Sequence, residues 1–410
     1  MAGKYIDMKA GDGSGGFRGY MAVPGSGKGP GLVIAQEIFG INKTMRDVAD
    51  YYAEEGYVVL VPDLFWRQEP NVDINYTPED WQKAFGYFQG FDVDKGMEDM
   101  QTAITTLRTR PEVTGGKVGV LGFCLGGKLA YLSACRTDAD VSVGYYGVGV
   151  EGALEEAEKI KKPLMLHIAE LDKFCPPEAR AKIVQTLQGR PNIALHVYPG
   201  VDHAFARVGG EHFDRPSALM AHQRTIATLK AAIGPHFDLS ALWDKHCEYE
   251  FGTRNVDDTM STMVPEPYVN HIPTMTGGVG YKELHRFYSN HFVNSNPPDT
   301  TLTSISRTVG ATQVVDELLF KFTHTTEIPW MLPGIEPTGK RVEVPLVAII
   351  KFRGDKLYHE HIYWDQASVL VQVGLLDPKL VPAAGIETSR KLLDETLPSN
   401  TMMPSWKASA

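Results

Sequence analysis

The chain has 410 residues, of which 43% are apolar and 22% charged, the balance of a soluble globular protein and a length that predicts two domains at about 150 residues each. Its 40 Lys and Arg against 50 Asp and Glu leave a net charge of −10, which speaks against nucleic-acid binding because phosphate recognition needs a positive surface. No apolar run reaches the ~20 residues of a membrane span, the first ten residues lack the apolar core of a signal peptide, and Cys124, Cys135, Cys175 and Cys247 are too scattered for a disulfide framework or a Cys-x-x-Cys metal site. A cytoplasmic protein with no metal, cofactor or membrane partner is expected.

Residues 31–35 form a short apolar run, and Met45, Val48, Ala49 and Tyr52 then follow the i, i+3, i+4, i+7 stripe of a helix that Gly56 stops. Apolar runs recur at 57–61, 117–121, 141–145, 163–167 and 193–197. Strands this apolar are covered on both faces, and their alternation with helices predicts a mainly parallel sheet. Leu219, Ile226, Leu229 and Ile233 mark a last helix, ended by Gly234-Pro235, so an α/β domain is predicted over residues 1–235.

Residues 236–244 read as a linker, and beyond 245 the texture changes. Helical patterns at 257–263 and 281–291 precede long β-type runs at 302–309, 313–324, 343–353 and 357–364, the last two joined by a Gly354-Asp355 turn signal. Helices followed by antiparallel strands predict an α+β domain over residues 245–410. Gly277-Gly-Val-Gly280 follows no clear strand and lacks the Lys-Ser/Thr of a phosphate loop, so it reads as a turn.

The most informative pentapeptide is Gly122-Phe-Cys-Leu-Gly126, between the strand at 117–121 and a good helix start. A Gly-x-nucleophile-x-Gly sequence in that setting is the nucleophile elbow of an α/β hydrolase, with cysteine in place of serine. It sets Cys124 at a helix N-terminus, where the dipole favours a thiolate, and offers the Leu125 N–H to a developing oxyanion. A buried cysteine in a Gly-rich turn would look the same in isolation. Asp172 and His203, however, each follow a later strand, and the chain order Cys124, Asp172, His203 is the hydrolase order of nucleophile, acid and histidine. His203 would hold or deprotonate the thiol, and Asp172 would fix the imidazole tautomer.

These motifs, together with Val33-Ile-Ala-Gln-Glu37-Ile-Phe-Gly40, Pro62-Asp-Leu-Phe65 and Gly144-Tyr-Tyr-Gly-Val-Gly149, resemble the dienelactone hydrolase (carboxymethylenebutenolidase) family over residues 30 to about 230. The resemblance implies lactone or ester hydrolysis through an acyl-enzyme, and a place in aromatic degradation. It also implies that Glu37 contacts the resting thiol, moves away when substrate arrives, and that Ile38 N–H joins Leu125 N–H as oxyanion donor. Of the two arginines with which the family holds a substrate carboxylate, Arg207 matches one; the other falls near Trp81, and a family tyrosine falls at Phe85. That exchange predicts a more apolar, less anion-selective pocket.

The C-terminal part resembles the cone-shaped fold of SnoaL-like polyketide cyclases and ketosteroid-isomerase-like proteins, on Phe320-Lys-Phe-Thr-His324, Pro333–Gly339, residues 344–353 and His359-Glu-His-Ile-Tyr-Trp-Asp365. Period-two alternation sets His359, His361, Tyr363 and Asp365 on one strand face and Tyr358, Glu360, Ile362 and Trp364 on the other. His324, His359, His361 and Asp365 are the candidate pocket residues, against the plainer reading of polar sheet surface. The cone either positions substrate, drives homodimerisation, or catalyses a second isomerising or cyclising step; a ligand-binding scaffold with a vestigial triad is the remaining alternative.

Overall fold

The apolar runs of the first half assemble into one eight-stranded sheet. In the computed structural model, which describes residues 3–409, the strands are β1 (Lys4–Lys9), β2 (Gly16–Ala22), β3 (Gly29–Ala35), β4 (Val58–Pro62), β5 (Val113–Phe123), β6 (Val141–Tyr145), β7 (Leu164–Ala169) and β8 (Ile193–Tyr198). The outermost expected domain limits, residues 1 and 410, lie outside the described residues. Strand order is β1-β2-β4-β3-β5-β6-β7-β8, parallel from β4 to β8, with β2 and β1 antiparallel at one edge. Strands β3, β4, β6 and β7 are buried along their whole length, as their unbroken apolar sequences require. Strands β1 and β2 were not foreseen: glycines and charges interrupt them, and they pair only at the sheet's edge.

Helices α1 (Lys43–Glu54), α2 (Pro78–Gln89), α3 (Val93–Arg108), α4 (Leu125–Arg136), α5 (Pro177–Leu187) and α6 (Arg215–Ile233) complete the unit. Strand order reverses between β3 and β5, and a doubly wound sheet opens a crevice at such a switch point, beyond the carboxyl ends of its strands. Ala35 and Gly122 are register partners there. The loop carrying Glu37 and the turn carrying Cys124 therefore leave the sheet side by side.

The chain divides into two units between His236 and Phe237. The stretch expected as a linker is corrected by helix α7 (Leu239–Cys247). Leu239 and Trp243 are buried in the second core, which gives the helix a packing partner that a short polar window does not reveal. Helix α7 runs on into a π-helical turn, Glu248–Gly252. Helices α8 (Val256–Ser261) and α9 (Tyr281–Phe287) follow, the latter ending in a second π turn, Tyr288–Phe292.

The second sheet contains β9 (Met263–His271), β10 (Thr276–Val279), β11 (Thr301–Val309), β12 (Gln313–Thr323), β13 (Arg341–Arg353) and β14 (Lys356–Trp364), and α10 (Gln366–Val373) and α11 (Glu387–Leu393) come after it. Its order is β10-β9-β14-β13-β12-β11, antiparallel throughout except for the parallel β14–β9 pair. Gly277 and Gly278 are thus not a turn; they pair with Asn270 and Val269 in an edge strand. Inward residues of β12 and β13, such as Phe320, Phe322, Val344 and Ile350, pack with Trp330, Phe292 and Trp364 into a core of their own. The architecture is an α/β hydrolase fold followed by an α+β cone with a largely antiparallel sheet. Among the described residues, no helix is long and apolar enough to cross a membrane.

The turn after β5 tolerates no side chain at its glycines. A Cβ on Gly122 would lie 1.8 Å from the Gly126 carbonyl oxygen, and one on Gly126 would lie 2.2 Å from that of Ala35. Gly122→Ala is expected to destabilise the first unit by about 3 kcal/mol or more, seen as an earlier urea transition by tryptophan fluorescence; an unshifted transition would show that the turn can relax.

Candidate active site

Cys124 sits between the last residue of β5 and the first of α4 at φ 58°, ψ −114°, a region that costs an L-residue on the order of 1–3 kcal/mol. Hydrogen bonds hold it there: Cys124 N–H donates to Tyr145 O at 3.1 Å, and the N–H groups of Gly127, Lys128 and Val148 donate to Cys124 O at 3.0, 3.3 and 3.3 Å. The side chain is 9% exposed at the N-terminus of α4. Leu125 N–H opens that helix, with no helical carbonyl four residues back to receive it. Gly126 N–H donates to Gln36 O at 3.0 Å, docking the loop after β3 against the turn and bringing Ile38 into the same cleft as Cys124.

Asp172 lies three residues beyond β7 and is buried. One carboxylate oxygen accepts Phe174 N–H at 2.8 Å, and the other is 2.8 Å from His203 Nδ1. His203 follows β8, and its ring is clamped edge-on by Tyr146, 5.0 Å away, and Phe174, 4.9 Å away. With Nδ1 committed to Asp172, Nε2 is left for the sulfur. Burial alone would lower the imidazole pKa. The charge on Cys124, hydrogen bonds to Asp172 and Cys124, and the Asp172 charge outweigh it and push His203 up to about 10.

Glu37 differs from expectation. Its Oε2 accepts the Tyr76 phenol at 2.8 Å and lies 3.4 Å from Arg207 Nη1, while Oε1 is buried without a hydrogen-bond partner. No hydrogen bond joins it to the Cys124 thiol among the described residues. The reason is donor strength: a guanidinium and a phenol bind a carboxylate better than a thiol does. Burial, then the Glu37 charge, push the Tyr76 pKa far up, so it remains a donor. Arg207 also lies over the Tyr76 ring, 4.1 Å from its centre, and is thus engaged twice.

Trp81 and Phe85 line the cleft together with Phe88, one stripe of α2 at i, i+4, i+7. Trp81 meets Phe39 edge-on at 4.9 Å and lies 5.8 Å from Phe85. The cleft, about 400 Å³, also takes in Val148 and Phe174. Tyr76, Tyr146, Phe88 and Phe174 were missed from sequence; the helical stripe from Trp81 and Phe85 could have found Phe88 and the Gly144–Gly149 motif Tyr146, whereas nothing local marks Tyr76 or Phe174.

The second-domain candidates are corrected. Ile362 and Trp364 face the core, and Glu360 shares that face. His359 and His361 are on the opposite face, stacked on each other at 4.5 Å and flanked by Tyr268. Asp365 caps α10, accepting the N–H groups of Ala367 and Ser368. His324 ends in a local pair with Thr338 at 3.1 Å, away from the other three. The inward residue of the His-x-His stretch is the glutamate between the histidines.

A mainly parallel sheet with a strained Gly-x-Cys-x-Gly turn after β5 and an Asp–His pair on the loops after β7 and β8 defines an α/β hydrolase fold. Residues 17–233 match the dienelactone hydrolase family and residues 243–360 the SnoaL-like domain. A relative from Azospirillum brasilense is 46% identical over 234 residues, covering 56% of this chain and 99% of its own. The carboxymethylenebutenolidase of Pseudomonas sp. (strain P51) is 39% identical over 229 residues, covering 56% and 94%. Among solved structures, a dienelactone hydrolase-like promiscuous phosphotriesterase from metagenomic libraries covers 57% of this chain and 100% of its own, at 19% identity and a TM-score of 0.49. The chain belongs to the dienelactone hydrolase family and carries a SnoaL-like domain after it; by that membership it is an enzyme that hydrolyses lactones or esters.

The His203 environment has a direct test. Its imidazole is expected to stay protonated to about pH 10 in nitrogen-detected NMR. In Cys124→Ala the titration should move to lower pH, because the strongest raising influence is gone; an unmoved titration would assign the shift to Asp172 alone.

Proposed function

We propose that Cys124, His203 and Asp172 act as nucleophile, acid–base and orienting carboxylate in the hydrolysis of uncharged, apolar lactones or esters. The single observation that carries this is His203, held 2.8 Å from Asp172 and coupled electrostatically to Cys124 in a cleft walled by aromatic rings. The thiolate adds to the carbonyl carbon, and the oxyanion rests on the N–H groups of Leu125 and Ile38. As the carbonyl re-forms, the ring C–O bond breaks and the departing alkoxide or enolate takes the His203 proton. The neutral imidazole then draws a proton from water, hydroxide adds to the thioester, and the C–S bond breaks to return the thiolate and release the acid.

Two features support a neutral substrate. Trp81 and Phe85 offer surface without charge. Arg207, the guanidinium of the cleft, is already engaged by Glu37 and Tyr76. A substrate carboxylate must displace Glu37 to reach it, whereas an uncharged lactone displaces nothing. Glu37, once freed from Arg207, would be the group that approaches the thiol.

The test is hydrolysis of p-nitrophenyl acetate, a neutral enol lactone and a dienelactone acid. Cys124→Ala is expected to lower kcat/KM by about 10³-fold or more on each, and activity indifferent to Cys124 would sink the reading. The neutral lactone is expected to exceed the acid in kcat/KM by about tenfold, with Trp81→Arg narrowing the gap by strengthening anion binding. A wild type that prefers the acid would show that Arg207 is available after all.

A further inference from the structure

The second core holds ionisable groups that the hydrolase chemistry does not use. His246 lies at the end of α7, Glu250 in the π turn that continues it, and Glu360 on β14. They are 0%, 2% and 3% exposed. His246 Nε2 is 3.1 Å from Glu250 Oε1 and 3.1 Å from Glu360 Oε1, and the three atoms lie within 4.8 Å of one another.

The opposite side of the ring decides what Nε2 offers. His246 Nδ1 is 2.6 Å from Thr262 Oγ1, and that hydroxyl donates its hydrogen to Thr259 O at 2.6 Å. Thr262 can only accept from the ring, so Nδ1 carries a proton. Nε2 is then the ring atom turned to the two carboxylate oxygens, and with its proton exchanged for a cation it would complete a three-donor set with them. Donors bound to one cation at about 2.0–2.2 Å are about 3–3.5 Å apart, and the two histidine–carboxylate pairs here are 3.1 Å apart. A ligating histidine whose other nitrogen is pinned by a hydrogen bond is the usual supporting arrangement.

The backbone adds an independent observation. The two π turns of this unit each send a residue to the cluster: Glu250 from Glu248–Gly252, and Tyr288, whose O–H is 3.4 Å from Glu360 Oε1, from Tyr288–Phe292. Single π turns gather at functional sites, where the extra residue re-aims side chains. Charge is compatible with such a site, since one dication neutralises two buried carboxylates. One imidazole and two carboxylates, without a thiolate, suit Mn²⁺, Fe²⁺ or Zn²⁺.

The geometry points to a binding site for one first-row divalent cation, held by His246 Nε2, Glu250 and Glu360, with the Tyr288 hydroxyl beside it. The cation ties α7 to β14 inside the cone and enters as that unit folds. Its ligands differ from the His-x-His of β14 and the carboxylate after it that the sequence offered as a metal site, and its presence departs from the expectation of no metal.

The experiment uses the full chain stripped with a chelator and titrated calorimetrically with Zn²⁺, Mn²⁺ and, under argon, Fe²⁺. The expected result is one saturable site per chain for at least one of these ions, with the melting transition raised by about 5 °C or more. Affinity should fall at least ~10-fold in Glu360→Gln and be retained in Cys124→Ala. Should Glu360→Gln fail to fold, X-ray absorption at the metal edge of the wild type decides: a nitrogen–oxygen shell supports the site. Absence of saturable binding, binding that survives both Glu360→Gln and His246→Gln, or sulfur in the shell would overturn it and leave a proton-bridged ion cluster.

Discussion

The close approach of helix α4 to the ends of β3 and β5 is the constraint on which the first unit depends. Backbone packs on backbone there, with Gly126 against Ala35 and Gly122 against Gly126. The helix can start within one residue of the strand only because these positions lack side chains. That abrupt start forces Cys124 into its strained conformation, lifts its sulfur into the switch-point crevice and aims the first helical N–H groups at the same spot. The strain is distributed over four hydrogen bonds to the Cys124 backbone, so the reactive position and the stability of the sheet share the same atoms.

Around that turn, the electrostatics work by pairing. Asp172 holds the imidazole, the imidazole answers the sulfur, and Glu37 is answered by Arg207 and Tyr76. Each buried charge has a partner of opposite sign or a strong donor, as burial demands. The arginine that a carboxylate substrate would need is occupied, and the surface facing it is aromatic. The character of this cleft thus depends on what Arg207 is already bonded to as much as on which residues line the wall.

The second unit handles buried charge differently. Asp316 is matched by Arg307 and the Trp243 indole N–H, a self-contained arrangement. The His246, Glu250 and Glu360 group instead converges on a shared point, and the helices that supply it depart from α geometry where they do so. The core it shares is aromatic, with Trp243 and Tyr288 against the His246 ring and Phe292, Phe320 and Trp364 each packed on Trp330. That packing excludes water and strengthens every polar interaction inside it.

Much of the first unit was legible in the chain itself. Uniform apolar runs marked the central strands, glycine spacing marked the tight turn at Cys124, and chain order singled out Asp172 and His203, which the fold brings 2.8 Å apart, because these features are local or ordered along the sequence. Strands β1, β2, β9 and β10 were not legible, since charges, prolines or glycines interrupt them and none carries a continuous apolar run. The partners of Glu37 were hidden because Tyr76 and Arg207 lie far from it in sequence. On β14, alternation separated Glu360, Ile362 and Trp364 from His359 and His361 but broke at Tyr358, where a register shift sends Leu357 to the core instead, and a residue's own neighbours cannot say which face is inward. Only packing against α7 and α9 decided that Glu360, and not the histidines beside it, meets His246 and Tyr288. By itself, then, the sequence determined the glycine-framed turn at Cys124 and the chain order of Asp172 and His203 after it. The tertiary structure decided which charges neutralise one another, because a buried charge selects its partner by proximity in space, and proximity is set by the fold.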